Sequence, residues 1–93
     1  MKAAERMHLG KVAALGCIGC RQLGYEDTPA EIHHVRSGCG AGQRASNYRV
    51  LPLCHAHHRT GGHGQAIHAG QAAFERKFGN EEDLLKKVEA LLS

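Results

Sequence analysis

Asn47-Tyr-Arg-Val-Leu-Pro-Leu-Cys-His-Ala-His-His58 is the stretch that decides the fold of this 93-residue chain. It passes from a strand-forming apolar run to a Cys-x-x-His pair, and then to a second imidazole, with no linker between them. Tyr48 to Leu53 is short and rich in Val, Leu and Tyr, which suits a strand. Upstream, Glu31 to Val35 has the same character, and the Gly-rich loop Ser-Gly-Cys-Gly-Ala-Gly-Gln (37–43) lies between the two. The two runs are expected to pair as an antiparallel hairpin. Pro52 has no amide hydrogen to give to a central ladder, so its strand should lie at an edge or end there.

The Cys-x-x-His pair, Cys54 and His57, has a complement in Cys17-Ile-Gly-Cys20. A two-residue spacer lets both side chains of each pair face one tetrahedral ion, with Gly19 allowing the tight turn. Two half-sites at matching spacing predict a structural Cys3His zinc site. A lone Cys-x-x-Cys would serve equally as a redox dithiol, and the second half-site argues against that. Cys39 competes for the fourth position but sits alone among glycines, so it is read as a thiol outside the site. A chain this short, with four aromatic residues and no Trp, buries a limited core, and a metal contributes the folding free energy it needs.

Charge is unevenly distributed. Between Ile32 and Phe74 there is no Asp or Glu, but there are four Arg and seven of the eight His. Four Arg over such a length can be a solvated face; combined with metal-binding spacings they point to a polyanionic partner. The start, Met1 to Gly16, has charges and helix formers where a secretory signal needs an unbroken apolar run, which favours a reducing, cytoplasmic setting. No stretch approaches the roughly 20 apolar residues needed to span a bilayer, so no membrane role is expected.

Lys2 to Leu15 reads as an amphipathic helix with Met7, Val12 and Leu15 near one face and Gly16 as its stop. His55 to Thr60 is a brief helical turn broken by Gly61 and Gly62. Gln71 to Phe78 and Glu81 to Leu92 are helices, the second capped by Asn80 and striped by Leu84, Leu85, Val88, Leu91 and Leu92. With no repeat or linker, residues 1–93 read as one domain: an N-terminal helix over 1–16, a knuckle and core over 17–68, and C-terminal helices over 69–93.

A second constellation, His33-His34, Asn47 and His58, resembles that of the HNH, or ββα-metal, nucleases. In that family the end of the first strand supplies a metal ligand and then a general base. A central Asn follows, and a ligand His sits on a short helix after a zinc knuckle. The resemblance implies an α+β fold: a small zinc-stabilised ββα-metal domain with flanking N- and C-terminal helices. Closer still, Glu31-Ile-His-His-Val-Arg36, Gly42 to Tyr48, Leu51 to Gly64, Ala66 to Gly70 and Phe74 to Gly79 resemble the phage recombination-enhancement (Ref) nucleases, described as acting with the RecA filament. Longer members carry a basic N-terminal arm before the knuckle, where this chain has a short helix, so dependence on RecA is left open here.

Adjacent strand residues point to opposite faces, so His33 and His34 do not both bind one ion. By resemblance His33 is the ligand and His34 the base, and an imidazole is matched to taking a proton from water near neutral pH. By the same resemblance Asn47 holds the base-bearing loop through side-chain to backbone bonds. His58 follows the zinc ligand His57, and neighbours on a helical turn face different ways. The third ligand is His68, with His63 as the alternative, both beyond the glycine break. His8 and His55 are bystanders. Neutral ligands would leave the site strongly cationic, and Arg36, Arg44, Arg49 and Arg59 would contact DNA phosphates with little sequence preference. The implied reaction is phosphodiester hydrolysis with a divalent Mg²⁺, Mn²⁺ or Zn²⁺ ion, leaving a 5′ phosphate and a 3′ hydroxyl. The expected place is a bacterial host cytoplasm, from a phage or prophage gene. The alternative is a non-catalytic zinc-knuckle module that binds DNA or assists recombination.

Overall fold

β1 (Glu31–His34) and β2 (Val50–Leu53) pair antiparallel, with Glu31 opposite Leu53 and His34 opposite Val50. This is seen in a computed structural model that describes residues 1–40, 42–43 and 45–93. β2 begins later than its apolar run suggested, because the chain is still turning at Tyr48 and Arg49. The Tyr48 amide donates to Ser46 Oγ at 3.0 Å and the Arg49 amide to the Ser46 carbonyl at 3.2 Å. Pro52 stands opposite Ile32 in a two-stranded sheet, where each strand has a free side and a missing amide hydrogen is tolerated.

Every residue of β2 is buried, whereas in β1 only His33 is. The reason is that three helices pack on β2: α1 (Ala3–Ala14), α2 (Ile18–Gln22) and α4 (Glu81–Leu92). The core joins Val12, Leu51, Leu53, Phe74 and Leu84, each with no exposed surface, to Ile18, Phe78, Leu85 and Val88. Each such side chain contributes about 1.5–3 kcal/mol of apolar burial.

α1 is present as expected, but Met7 is not on its inner face. Met7 is 63% exposed, while Leu9, Val12 and Leu15 meet the core. At 3.6 residues per turn, Met7 lies about 140° around the helix from Val12. α2 was not expected; Cys17 caps it, its Sγ accepting from the Cys20 amide at 3.3 Å.

α3 (Gln71–Phe78) and α4 span the expected residues, and Asn80 Oδ1 caps α4 by accepting from the Asp83 amide at 2.8 Å. Phe74 and Phe78, one turn apart on α3, stack with centroids 4.8 Å apart. Leu91, assigned to the apolar stripe of α4, is 40% exposed, while its neighbour Leu92 packs against the core. Glu81, in the first turn, is buried at 4% exposure. Among the described residues no helix is long and apolar enough to cross a membrane.

Candidate metal centres

Cys17, Cys20, Cys54 and His57 converge from α2, the end of β2 and the 56–60 turn. Cys20 Sγ and Cys54 Sγ are 3.7 Å apart, and His57 Nδ1 lies 3.3, 3.5 and 3.2 Å from the sulfurs of Cys17, Cys20 and Cys54. A tetrahedral zinc ion with its usual bond lengths requires S···S edges of about 3.8 Å and S···N edges of about 3.6 Å. The four donors therefore fit one ion. Burial pushes the Cys17 thiol up to about 12, so a cation is what would draw the proton off and balance the thiolates. Gly19 does more than ease a turn: a Cβ there would stand 3.2 Å from the His57 ring. That ring also meets Phe78 edge-on at 5.0 Å. Cys39 is not one of the four.

A second group forms from His33, His58 and His68, whose ligand atoms lie within 4.8 Å of one another. β1 turns His33 inward and leaves His34 half-buried on the other side. His57 and His58 diverge on the 56–60 turn, a wide turn closed by the Gly61 amide donating to the Ala56 carbonyl at 2.8 Å. A Cβ at Gly61 would sit 2.5 Å from that same carbonyl oxygen, so only glycine closes the turn without strain. The chain then returns through a short turn over Ile67–Ala69, which carries His68. His58 Nε2 and His68 Nε2 are 3.0 Å apart, and two nitrogens sharing an ion at about 2.1 Å lie about 3.0–3.4 Å apart, depending on its geometry. His63 is outside the group; its ring lies against Gly70, where a Cβ would come within 2.5 Å of Nδ1.

The absence of carboxylates between Ile32 and Phe74 does not carry over into space. Glu31 and Glu81, just beyond the two ends of that stretch, both reach the histidines. His58 Nδ1 donates to Glu31 Oε1 at 2.8 Å, and His55, expected to be a bystander, meets Glu31 Oε2 through Nδ1 at 2.9 Å. His33 Nε2 donates to Glu81 Oε2 at 2.8 Å, and Gln71 Nε2 donates to Glu81 Oε1 at 3.2 Å. The site is less cationic than neutral ligands alone would make it. The hydrogen bonds from His58 and His55 hold the Glu31 carboxyl below its ordinary value. Burial lowers His33 and His68, which favours neutral imidazoles with a lone pair to offer. For Glu31 a signal existed: two residues before His33 on a strand, it lies on the same face. Glu81 gave none, since an acid at the start of a helix reads as a dipole partner.

His34 Nε2 meets Asn47 Oδ1 at 2.9 Å. Among the described residues the side chain of Asn47 meets a side chain, where the family resemblance suggested a bond to the backbone. An amide oxygen only accepts, so His34 carries its proton on Nε2 and keeps the lone pair on Nδ1. His33, His34, His58 and His68 line a cleft of about 250 Å³ with Ile32, Arg36 and Arg59. Arg49 faces elsewhere: it pairs with Glu82 and donates to the Ser37 carbonyl at 3.3 Å. Arg44 lies outside the described residues.

No curated protein matches the chain. One family model does, from the N-terminal helix through both His-bearing groups to the C-terminal helices. With residues 1–93 matched by the model described as "Recombination enhancement, RecA-dependent nuclease", the chain belongs to that family of nucleases.

Proposed function

We propose that the protein is a divalent-metal-dependent DNA endonuclease of the HNH, ββα-metal type, cutting phosphodiester bonds with little sequence preference in RecA-linked recombination. The observation that carries this is one cleft in which three imidazoles converge, with His34 held by Asn47 and Arg36 and Arg59 nearby. Family membership supports the nuclease class and the link to RecA, and the family match includes the N-terminal helix that had left RecA dependence open.

Each residue then has a task. Cys17, Cys20, Cys54 and His57 hold zinc, tying α2 to the end of β2. His33, His58 and His68 hold the second ion, which when bound supplies a Lewis acid for charge on the phosphoryl group and the leaving 3′ oxygen. His34 accepts the proton of the attacking water at Nδ1, and Asn47 keeps that nitrogen unprotonated by holding the proton on Nε2. Arg36 and Arg59 bind backbone phosphates, an attraction that weakens with salt and is blind to base sequence. Such an enzyme belongs in the cytoplasm of a bacterial host, where RecA filaments form on DNA.

The test is DNA cleavage by purified protein with Mg²⁺ or Mn²⁺, with and without RecA filaments. Wild type cuts and His34→Ala does not, with zinc content and melting temperature unchanged. If both bind DNA equally and neither cuts under any of these conditions, the protein is a DNA-binding module and the proposal fails.

A further inference from the structure

Among the described residues Glu81 is the one carboxylate that is almost wholly buried, and neither metal ligation nor the proposed hydrolysis uses it. Burying a charge costs several kcal/mol unless it is paired and hydrogen-bonded. Both oxygens of Glu81 are satisfied, Oε2 by His33 and Oε1 by Gln71. Support of the helix dipole does not account for it. Glu82 and Asp83 stand in the same first turn and remain exposed, where they serve the dipole without desolvation.

We propose that Glu81 is a positioning residue for the three-histidine group, with Glu31 as its counterpart. Each carboxylate takes the hydrogen of one imidazole nitrogen and so selects the other nitrogen as ligand. The inference rests on the reading of His33, His58 and His68 as an ion site. A carboxylate only accepts, so the bond to Glu81 puts the His33 proton on Nε2 and leaves Nδ1 with its lone pair. At His58 the assignment is reversed. Glu31 takes Nδ1, and Nε2 is left 3.0 Å from Nε2 of His68. Two rings approach from different elements with opposite edges, and each is held by its own acid. A hydrogen-bonded carboxylate also makes the imidazole a stronger donor to the metal. The centre is thus completed by α4, an element that carries none of its ligands, through a contact spanning 48 residues of sequence.

Mn²⁺ affinity, measured by calorimetry and electron paramagnetic resonance on the zinc-loaded protein, tests this. Glu81→Ala is expected to weaken Mn²⁺ binding about 10–100-fold, with one zinc per chain retained. Glu81→Gln, which still offers an oxygen to His33 Nε2 but no charge, should fall between Glu81→Ala and wild type. Glu82→Ala, altering the same helical turn at the surface, should leave affinity unchanged. In a His33→Ala background Glu81→Ala should add nothing. The proposal is overturned if Glu81→Gln and Glu81→Ala bind Mn²⁺ as wild type does, or if Glu81→Ala weakens binding as much without His33 as with it. Wild type that takes up zinc but no second ion would overturn the ion-site reading itself, and Glu81 with it.

Discussion

The two His-bearing groups share a seam of sequence and differ in almost everything else. His57 and His58 are neighbours, yet one faces three sulfurs and the other faces two imidazoles, because successive side chains on a helical turn point in different directions. The first group has four donors at the edge lengths of a tetrahedron, walled by Phe78 and Gly19. Four donors around one ion would leave it no open position for a substrate. The second has three donors, all imidazole nitrogens, and opens on a cleft lined by Arg36 and Arg59. Donor count and access, more than donor identity, separate a centre that holds a fold from one that works on a ligand.

The largest effect should come from emptying the first centre. Zinc binding of this kind contributes about 10–16 kcal/mol, more than the roughly 5–15 kcal/mol by which a small domain is stable. Cys54→Ser or a strong chelator should therefore abolish the cooperative melting transition followed by circular dichroism. His68→Ala should leave that transition in place, and equal unfolding of both variants would break the distinction between the centres.

Phe78→Ala comes next. It should cost about 3–5 kcal/mol in denaturant unfolding and speed zinc loss, because its ring walls His57. Mn²⁺ affinity at the other centre should change much less, since none of the three histidines touches that ring among the aromatic contacts described.

Asn47→Ala should lower the cleavage rate about 5-fold, the worth of one hydrogen bond of roughly 1 kcal/mol, with both metal contents unchanged. Asn47→Asp keeps an acceptor for His34 Nε2 and should recover part of the loss. A change in zinc content with either variant would mean that the two centres are less separate than their geometry indicates.

The smallest effect concerns Arg49 and Glu82, a surface pair away from both centres. The guanidinium holds the Glu82 carboxyl below its ordinary value. Stability from the pair is thus present above that ordinary value and is lost as pH falls through the lowered one. Glu82→Gln should flatten the acid limb of the pH–stability profile slightly and leave stability near neutral pH almost unchanged, because exposed pairs contribute little. A large loss at pH 7 would show that this latch supports the hairpin more than its exposure implies.

The parts of the molecule readable from sequence are those decided within a few residues. Asn80 and the Leu84, Leu85, Val88 spacing specify α4; the two apolar runs around a Gly-rich loop specify the hairpin; the Cys17/Cys20 and Cys54/His57 spacings specify donor pairs. In each case backbone geometry over one or two turns decides where side chains point. Met7 escaped because a helix's inner face depends on what lies across from it. His68 rather than His63 joins the three-histidine group because the 56–60 turn closes at Gly61, Gly62 follows with φ of 83°, and His63 comes to rest on Gly70. Glu81 meets His33 only because α4 packs back over β2. Donor types, their local spacing and the flanking helices were thus set by the chain itself. Which histidines share a centre, and which acids stand behind them, was settled by tertiary packing, because approach across tens of residues is the sum of every turn in between.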